Sequence, residues 1–278
     1  MTKFLARVTT GVTLKPLRVV LTGHPGSGKT TLAVGAPNCV LMPVEEGLGI
    51  TGATALPAPK SFDDVIGQLI ELAKEKHDFK TLVVDAIDGI EPWIFERIVA
   101  DAKPTKSGPI KTVAEIGFNK GYVEADAYWI RFFKALDYLR AERGMNIVVV
   151  SHVATVHYDD PTLGSYFRFE PNLHKRTVPF LTKWADIIGY LDIERTLTEK
   201  GSDRRSITTA MASQTRWLHI TDQGPFIAKN RFGIAGPLEI PAKGGWTSLR
   251  NEVAAAFKKA AGGDTTNSKK SKKKKEAA

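Results

Sequence analysis

"LRVVLTGHPGSGKTTLAVGAPN", Leu17 to Asn38, decides the fold. Its first part, LRVVLTG at 17–23, is an apolar, β-branched run that reads as a buried strand. The next residues fit G-x-x-x-x-G-K-[ST] in full, and TTLAVGA at 30–36 has helix character and stops at Pro37. Strand, glycine-rich turn and helix start, in that order, are the context a phosphate loop requires. Gly23, Gly26 and Gly28 let the backbone wrap around phosphate oxygens with successive N–H groups pointing inward. The helix N-terminus adds a positive field at the same place. Lys29 reaches the β- and γ-phosphates, and the Thr30 hydroxyl is of the kind that ligates Mg²⁺. The expected nucleotide site is therefore Gly23, His24, Pro25, Gly26, Ser27, Gly28, Lys29, Thr30 and Thr31, with ATP and Mg²⁺ as cofactors.

Working outward, CVLMPVE (39–45), TLVVDAI (81–87) and NIVVVSH (146–152) read as further buried strands. Between them, 61–77 reads as a helix capped by Ser61, with Val65, Ile66, Leu69, Ile70 and Ala73 on one face. Residues 91–102 and 122–143 read as helices, the second closed by Gly144. The alternation predicts an α/β fold, a mostly parallel sheet with helices on both faces. After about residue 185 the pattern changes to closely spaced strands, DIIGYLDIER, RSITTAMAS, RWLHITD and PFIAKNR, which predict antiparallel strands extending the sheet at its C-terminal end. The expected division is an N-terminal extension at 1–16, an ATPase domain at 17–257 and a Lys-rich tail at 258–278.

Composition sets outer limits. The single cysteine, Cys39, excludes an internal disulfide framework and fits a reducing cytoplasm. The N-terminus is too polar for a signal peptide, and no apolar run approaches the roughly 20 residues of a membrane span. The expectation is a cytoplasmic protein with no membrane contact. The net charge of +9 is unevenly spread: from Lys258 onward eight lysines face only Asp264 and Glu276. The basic balance thus belongs mostly to the tail rather than to a globally basic DNA-binding domain. GGDTTNSKKSKKKKEAA (262–278) has no aromatic or large aliphatic residue and is expected to be disordered. It can hold DNA electrostatically, dock an acidic partner peptide, or serve solubility.

Several strand ends carry chemistry. Asp85, leaving the strand TLVVD, suits the outer-sphere Mg²⁺ role, with Asp88 as the alternative. Glu45 and Glu46 both end the strand after the phosphate loop, where ligands of open α/β sheets bind. Either can activate water; a solvated acidic turn is the plain alternative. His152 ends another strand, and its ring can hydrogen-bond a phosphate oxygen or simply be satisfied in the core. Two long loops follow helix and strand, 103–121 with Lys103, Lys106, Lys111 and Lys120, and 153–176 with His157, Tyr158, Tyr166, Phe167, Arg168, His174, Lys175 and Arg176. Aromatic and basic types mixed in this way suit single-stranded nucleic acid. Tyr166, Phe167 and Phe169 packing back onto the domain is the competing reading, as is a merely solvated first loop. Near the end of the folded part, IAKNRFGIAGP (227–237) carries Lys229 and Arg231, which taken alone read as surface charge.

A phosphate loop, a glutamate closing the next strand, LVVDAI, IVVVSHVATV and AKNRFG together resemble the RecA-type ATPase core. That core is shared by RecA-like recombinases, the RadA/Sms branch-migration ATPases and DnaB-type helicases. The chain looks most like phage RecA-like ATPases that include Sak-type single-strand annealing proteins, over roughly Leu17 to Pro237. The resemblance implies a RecA-like P-loop NTPase core with a catalytic set of Lys29, Glu45, His152, Lys229 and Arg231. Glu45 matches the glutamate that primes water. His152 matches the residue that senses the γ-phosphate and relays its state onward. Lys229 and Arg231 match paired cations that cross a subunit interface to a neighbour's nucleotide, which implies a homo-oligomer. The loops 103–121 and 153–176 match the two DNA-contacting loops.

The implied function is Mg²⁺-dependent, DNA-stimulated ATP hydrolysis by a protein that binds single-stranded DNA and promotes annealing or strand pairing in recombination, with a single-strand-binding protein as a further partner. The alternatives are a RadA- or DnaB-like helicase or translocase and a nucleotide-dependent scaffold with little turnover. The sequence departs from these relatives in lacking the RecA polymerisation helix and the RadA zinc finger. It has neither a C-x-x-C pair nor a His/Cys cluster, so no structural metal is expected.

Overall fold

A computed structural model describes residues 13–45, 52–104, 108–200 and 207–261. The expectations for Glu46, Lys106, most of the N-terminal extension and the tail beyond 261 lie outside these residues. The run that precedes the phosphate loop forms β1 (Arg18–Thr22), and it sits in the middle of the sheet. It pairs in parallel with β4 (Asn146–Ser151) on one side and with β7 (Ile187–Lys200) on the other. Beyond β4 lie β3 (Thr81–Asp85) and then β2 (Cys39–Pro43), again parallel. Beyond β7 the sheet turns antiparallel through β8 (Ile207–His219) and β10 (Pro237–Glu239), while the short β9 (Lys229–Asn230) also pairs with β7. The expected α/β architecture with an antiparallel C-terminal extension is what the chain adopts.

Alternation along the strands decides what each face touches. Val19, Leu21, Leu41, Val83, Val148 and Val150 pack on one side with α1 (Lys29–Val34) and α6 (Gly245–Ala261). Val20, Val40, Met42, Leu82, Val84, Ile147 and Val149 pack on the other with α2 (Phe62–Lys74), α3 (Ile90–Asp101), α4 (Lys120–Glu142) and α5 (Thr177–Trp184). Both faces are covered, which is why these strands read as continuous apolar runs. On α4, Trp129, Phe132, Leu136 and Leu139 are fully buried at helical spacing and anchor that layer.

Four differences from the sequence reading matter. ITTAMAS and RWLH, parts of two expected strands, belong to one long strand, β8, and PFIAKNR contributes only the two residues of β9. Residues 153–171, expected to lie in a loop, form a hairpin of β5 (Val153–Asp160) and β6 (Gly164–Pro171). Its turn is closed by Asp160, whose Oδ1 accepts from the Thr162 N–H, the Thr162 hydroxyl and the Leu163 N–H, with Gly164 at φ 83°. The helices α5 and α6 were also unread, and α6 runs across the boundary expected at 257. Trp246, Leu249, Val253 and Ala256, spaced as one helical face, were the signal for α6. Among the described residues no helix is long and apolar enough to cross a membrane.

Candidate functional site

Because β1, β2, β3 and β4 run in parallel, their C-terminal ends meet along one edge of the sheet. The phosphate loop leaves β1 there. At Gly23 a Cβ would lie 2.4 Å from the Leu191 carbonyl oxygen, and Gly28 caps α1 at φ 95°, so neither position admits another residue without strain. The Lys29 ammonium donates to the Gly23 carbonyl at 2.9 Å and the His24 carbonyl at 3.0 Å, bracing the loop from inside. Burial pushes the Lys29 pKa down, opposed by the charges of Asp85, Asp88 and Glu45. The Thr30 hydroxyl donates to Asp85 Oδ2 at 2.5 Å, so Asp85 on the buried β3 stands where an outer-sphere carboxylate is wanted. Burial raises the Asp85 pKa, against the Thr30 hydrogen bond and the Lys29 charge.

Ser27 Oγ is buried with no hydrogen-bond partner among the described residues. A glycine cradle, an orphaned buried hydroxyl, a buried ammonium and a hydroxyl–carboxylate pair fit a nucleotide with a hard, oxygen-seeking cation such as Mg²⁺.

The three other strand-end groups converge beside it. Glu45 follows β2, held by the Val44 and Glu45 N–H groups donating to the Asp85 carbonyl at 2.7 and 3.4 Å. Glu45 Oε1 lies 3.3 Å from His152 Nδ1, and Asp88 Oδ2 lies 2.9 Å from the same nitrogen. Asp88 Oδ1 also accepts the His152 backbone N–H at 3.0 Å. Asp88 therefore clamps His152 by backbone and ring together. A carboxylate on Nδ1 calls for an N–H at that nitrogen. Burial raises the Glu45 pKa; Asp88 and Asp85 push the same way, while His152 and Lys29 oppose. Carboxylate and imidazole ligand atoms of Glu45, Asp88 and His152 lie within 4.8 Å of one another, close enough to share a cation. The sequence offered Asp88 only as an alternative metal residue. Its position three residues past Asp85 was the signal, but the clamp on His152 spans 64 residues and is not written locally.

Lys229 and Arg231 are not brought to this edge. Lys229 lies in β9 and Arg231 directly after it, near the start of β7, at the opposite edge of the sheet. Lys229 donates to the Thr182 and Ala185 carbonyls at 2.7 and 3.0 Å, closing the C-terminus of α5. Arg231 donates to the Lys183 carbonyl at 2.8 Å and to Asp186 at 3.3 Å. Asp186 also binds Arg18 at 2.8 Å and Arg140 at 3.2 Å. Burial alone would raise the Asp186 pKa, but the hydrogen bond and charge of Arg18 and the charge of Arg140 hold it below the ordinary carboxylate value. Within this chain the two cations are thus explained by helix capping and by the Asp186 cluster, although Arg231 stays 47% exposed.

The residues expected to meet nucleic acid divide. Phe169 is packed: it meets His24 of the phosphate loop edge-on at 4.7 Å and stacks on Tyr190, which stacks on Phe226. Arg168 pairs with Glu170 and lies 3.5 Å over the Tyr158 ring. His174 stacks on Tyr122 at 4.2 Å, and Arg176 pairs with Asp126. Phe167 is 68% exposed beside the exposed His157, and Leu163 stands at the hairpin tip. In the other segment Lys103, Lys111 and Lys120 are exposed, and Phe118 is 97% exposed.

A family model described as an AAA domain matches residues 15–232, from just before β1 to just past β9. Among solved structures the chain is similar to the crystal structure of the RadB recombinase, at 16% identity and a TM-score of 0.43, covering 83% of this chain and 90% of that one. No curated protein sequence matches the chain.

Proposed function

The chain belongs to the AAA domain family, and from that premise we propose that it is an Mg²⁺-dependent ATPase that binds single-stranded DNA and promotes annealing or strand pairing. The observation that carries this reading is the pair of contacts joining the phosphate edge to the hairpin. His152, clamped by Asp88 and facing Glu45, is followed at once by β5, while His24 of the loop touches Phe169 of β6. A hairpin tied at both strands to the nucleotide site, with Phe167 and Leu163 outward, suits stacking on unpaired bases under nucleotide control.

In this reading Lys29 and the loop amides bind the β- and γ-phosphates. A bound Mg²⁺, held through Thr30 and the outer-sphere Asp85, would neutralise charge on those phosphates. Glu45, its pKa raised, accepts the proton of the attacking water. His152, its ring held by Asp88, is the residue that transmits the presence of the terminal phosphate to β5. Lys229 and Arg231, across the sheet, act only on a neighbouring copy's nucleotide in a head-to-tail assembly. ATP turnover with and without single-stranded DNA tests the proposal, and absent stimulation together with absent retention of single strands on filters would sink it. Mixing Arg231→Ala with Lys29→Ala protein should restore turnover through hybrid interfaces; no rescue under assembling conditions removes the trans role.

A further inference from the structure

Beside the phosphate loop, sharing Gly28 and Thr31 with it, lies a cavity of about 120 Å³. Gly28, Thr31, Gly35, Gly245, Arg216 and Trp246 contribute to its wall, and no acidic side chain lines it. Two buried donors on that wall are unpartnered among the described residues, Arg216 Nε and Trp246 Nε1. The Trp246 side chain is 3% exposed. Arg216 comes from β8, on the antiparallel extension, and its backbone carbonyl accepts the Ile240 N–H at 2.9 Å. Its guanidinium stands against the loop: a Cβ at Gly28 would lie 3.1 Å from Nε and 3.5 Å from Cζ.

A buried guanidinium N–H left without an acceptor is unusual, because an unpaired buried donor is costly. Arg18 and Arg140 resolve this with Asp186, and Arg168 with Glu170. Among the described residues no carboxylate pairs with Arg216. Two N–H donors and the neighbouring Thr31, with no fixed anion among them, call for an anionic acceptor supplied from outside the chain. The loop assigns that anion. Lys29 and Thr30 serve the terminal phosphates and Mg²⁺, and the loop backbone cradles the α- and β-phosphates. Gly28 and Thr31 are the loop residues this cavity shares, which leaves it the phosphate nearest the nucleoside.

We propose that Arg216, supported by the Trp246 indole N–H, is a nucleotide-binding residue of this chain that holds the α-phosphate from the cavity side of the phosphate loop. The inference rests on the nucleotide-site reading and adds a contact made within the same chain, unlike Lys229 and Arg231. Position 28 favours glycine for its φ, and a side chain there would also crowd the guanidinium.

The test is calorimetric binding of ADP and of inorganic pyrophosphate to the full chain and to Arg216→Ala, Arg216→Lys, Trp246→Phe and Lys29→Ala. Loss of a charge-assisted hydrogen bond should weaken ADP about tenfold or more in Arg216→Ala. Arg216→Lys should fall between the two, since it keeps the charge without the fork. Trp246→Phe should lose a smaller factor, about threefold. Pyrophosphate needs only the positions held by Lys29 and the loop amides, so its affinity should survive Arg216→Ala and fall in Lys29→Ala. That retained binding also reports that the variant's loop is folded. ADP bound equally by Arg216→Ala and the parent overturns the assignment, as does an equal loss of ADP and pyrophosphate in Arg216→Ala and Arg216→Lys alike. A parent protein that binds neither ligand would overturn the nucleotide site itself.

Discussion

The two edges of one sheet hold opposite kinds of charge cluster. At the edge where β1 to β4 end, Lys29 is surrounded by Asp85, Asp88 and Glu45, and burial pushes the Asp85 and Glu45 pKa values up. At the other edge Asp186 is enclosed by Arg18, Arg140 and Arg231, and its pKa is held down. The second cluster is complete within the chain: each charge has a counter-charge at hydrogen-bond distance. The first leaves Ser27 without a partner and gives Lys29 only backbone carbonyls as hydrogen-bond partners. A self-satisfied network stabilises a fold, whereas an unfinished one is arranged for a ligand.

Substitution at each edge should therefore break different things. Lys29→Ala should give the largest effect, lowering ATP turnover about 10²–10³-fold, with the urea midpoint nearly unmoved. A comparable fall in stability would merge the two clusters into one structural kind. Asp186→Ala should do the reverse, costing about 3 kcal/mol of stability because three arginines lose their acid, read from urea unfolding.

The sign with pH follows from the depressed pKa. The Asp186 contribution is present above the ordinary carboxylate value and is lost as pH falls through the lower folded-state value, so Asp186→Asn should flatten that part of the acid limb. Asp88→Asn should lower kcat about tenfold or more with little change in nucleotide affinity, because it disturbs how His152 is held. The pH–rate profile offers a finer measure. With Glu45 raised by burial, turnover should fall as pH drops through a value above the usual glutamate range, and Glu45→Gln should remove that limb. An acid limb identical in both proteins would take Glu45 out of the chemistry. The smallest effect belongs to the hairpin: Phe167→Ala should weaken single-stranded DNA about fivefold or more in fluorescence anisotropy, with the melting temperature kept.

Much of this was legible in the chain. The loop from Gly23 to Thr31 and its partner strand could be read because a phosphate loop is a local device, with each requirement met by a neighbour in sequence. The sequence does not predict the hairpin, although its turn, Asp160 to Gly164, lies between two alternating runs. A set of aromatic and basic residues suggested a binding loop and hid the period-2 pattern. Phe169 shows why: it shares a face of β6 with Phe167, two residues away, yet Phe169 packs against His24 and Tyr190 while Phe167, nearer the hairpin tip, stays exposed, a difference set by which distant residues lie opposite.

By itself, then, the amino-acid order determined where the glycine-rich loop joins strand to helix, and that the apolar strands are covered on both sides. Only the tertiary structure decided that Asp88 serves His152, that Lys229 and Arg231 stand across the sheet from their own chain's loop, and that Arg216 leans on Gly28. The physical reason is range. A motif's glycines and cap act within a few bonds, but a carboxylate finds its histidine, or an arginine its glycine, only after strands far apart in sequence have been ordered as β7-β1-β4-β3.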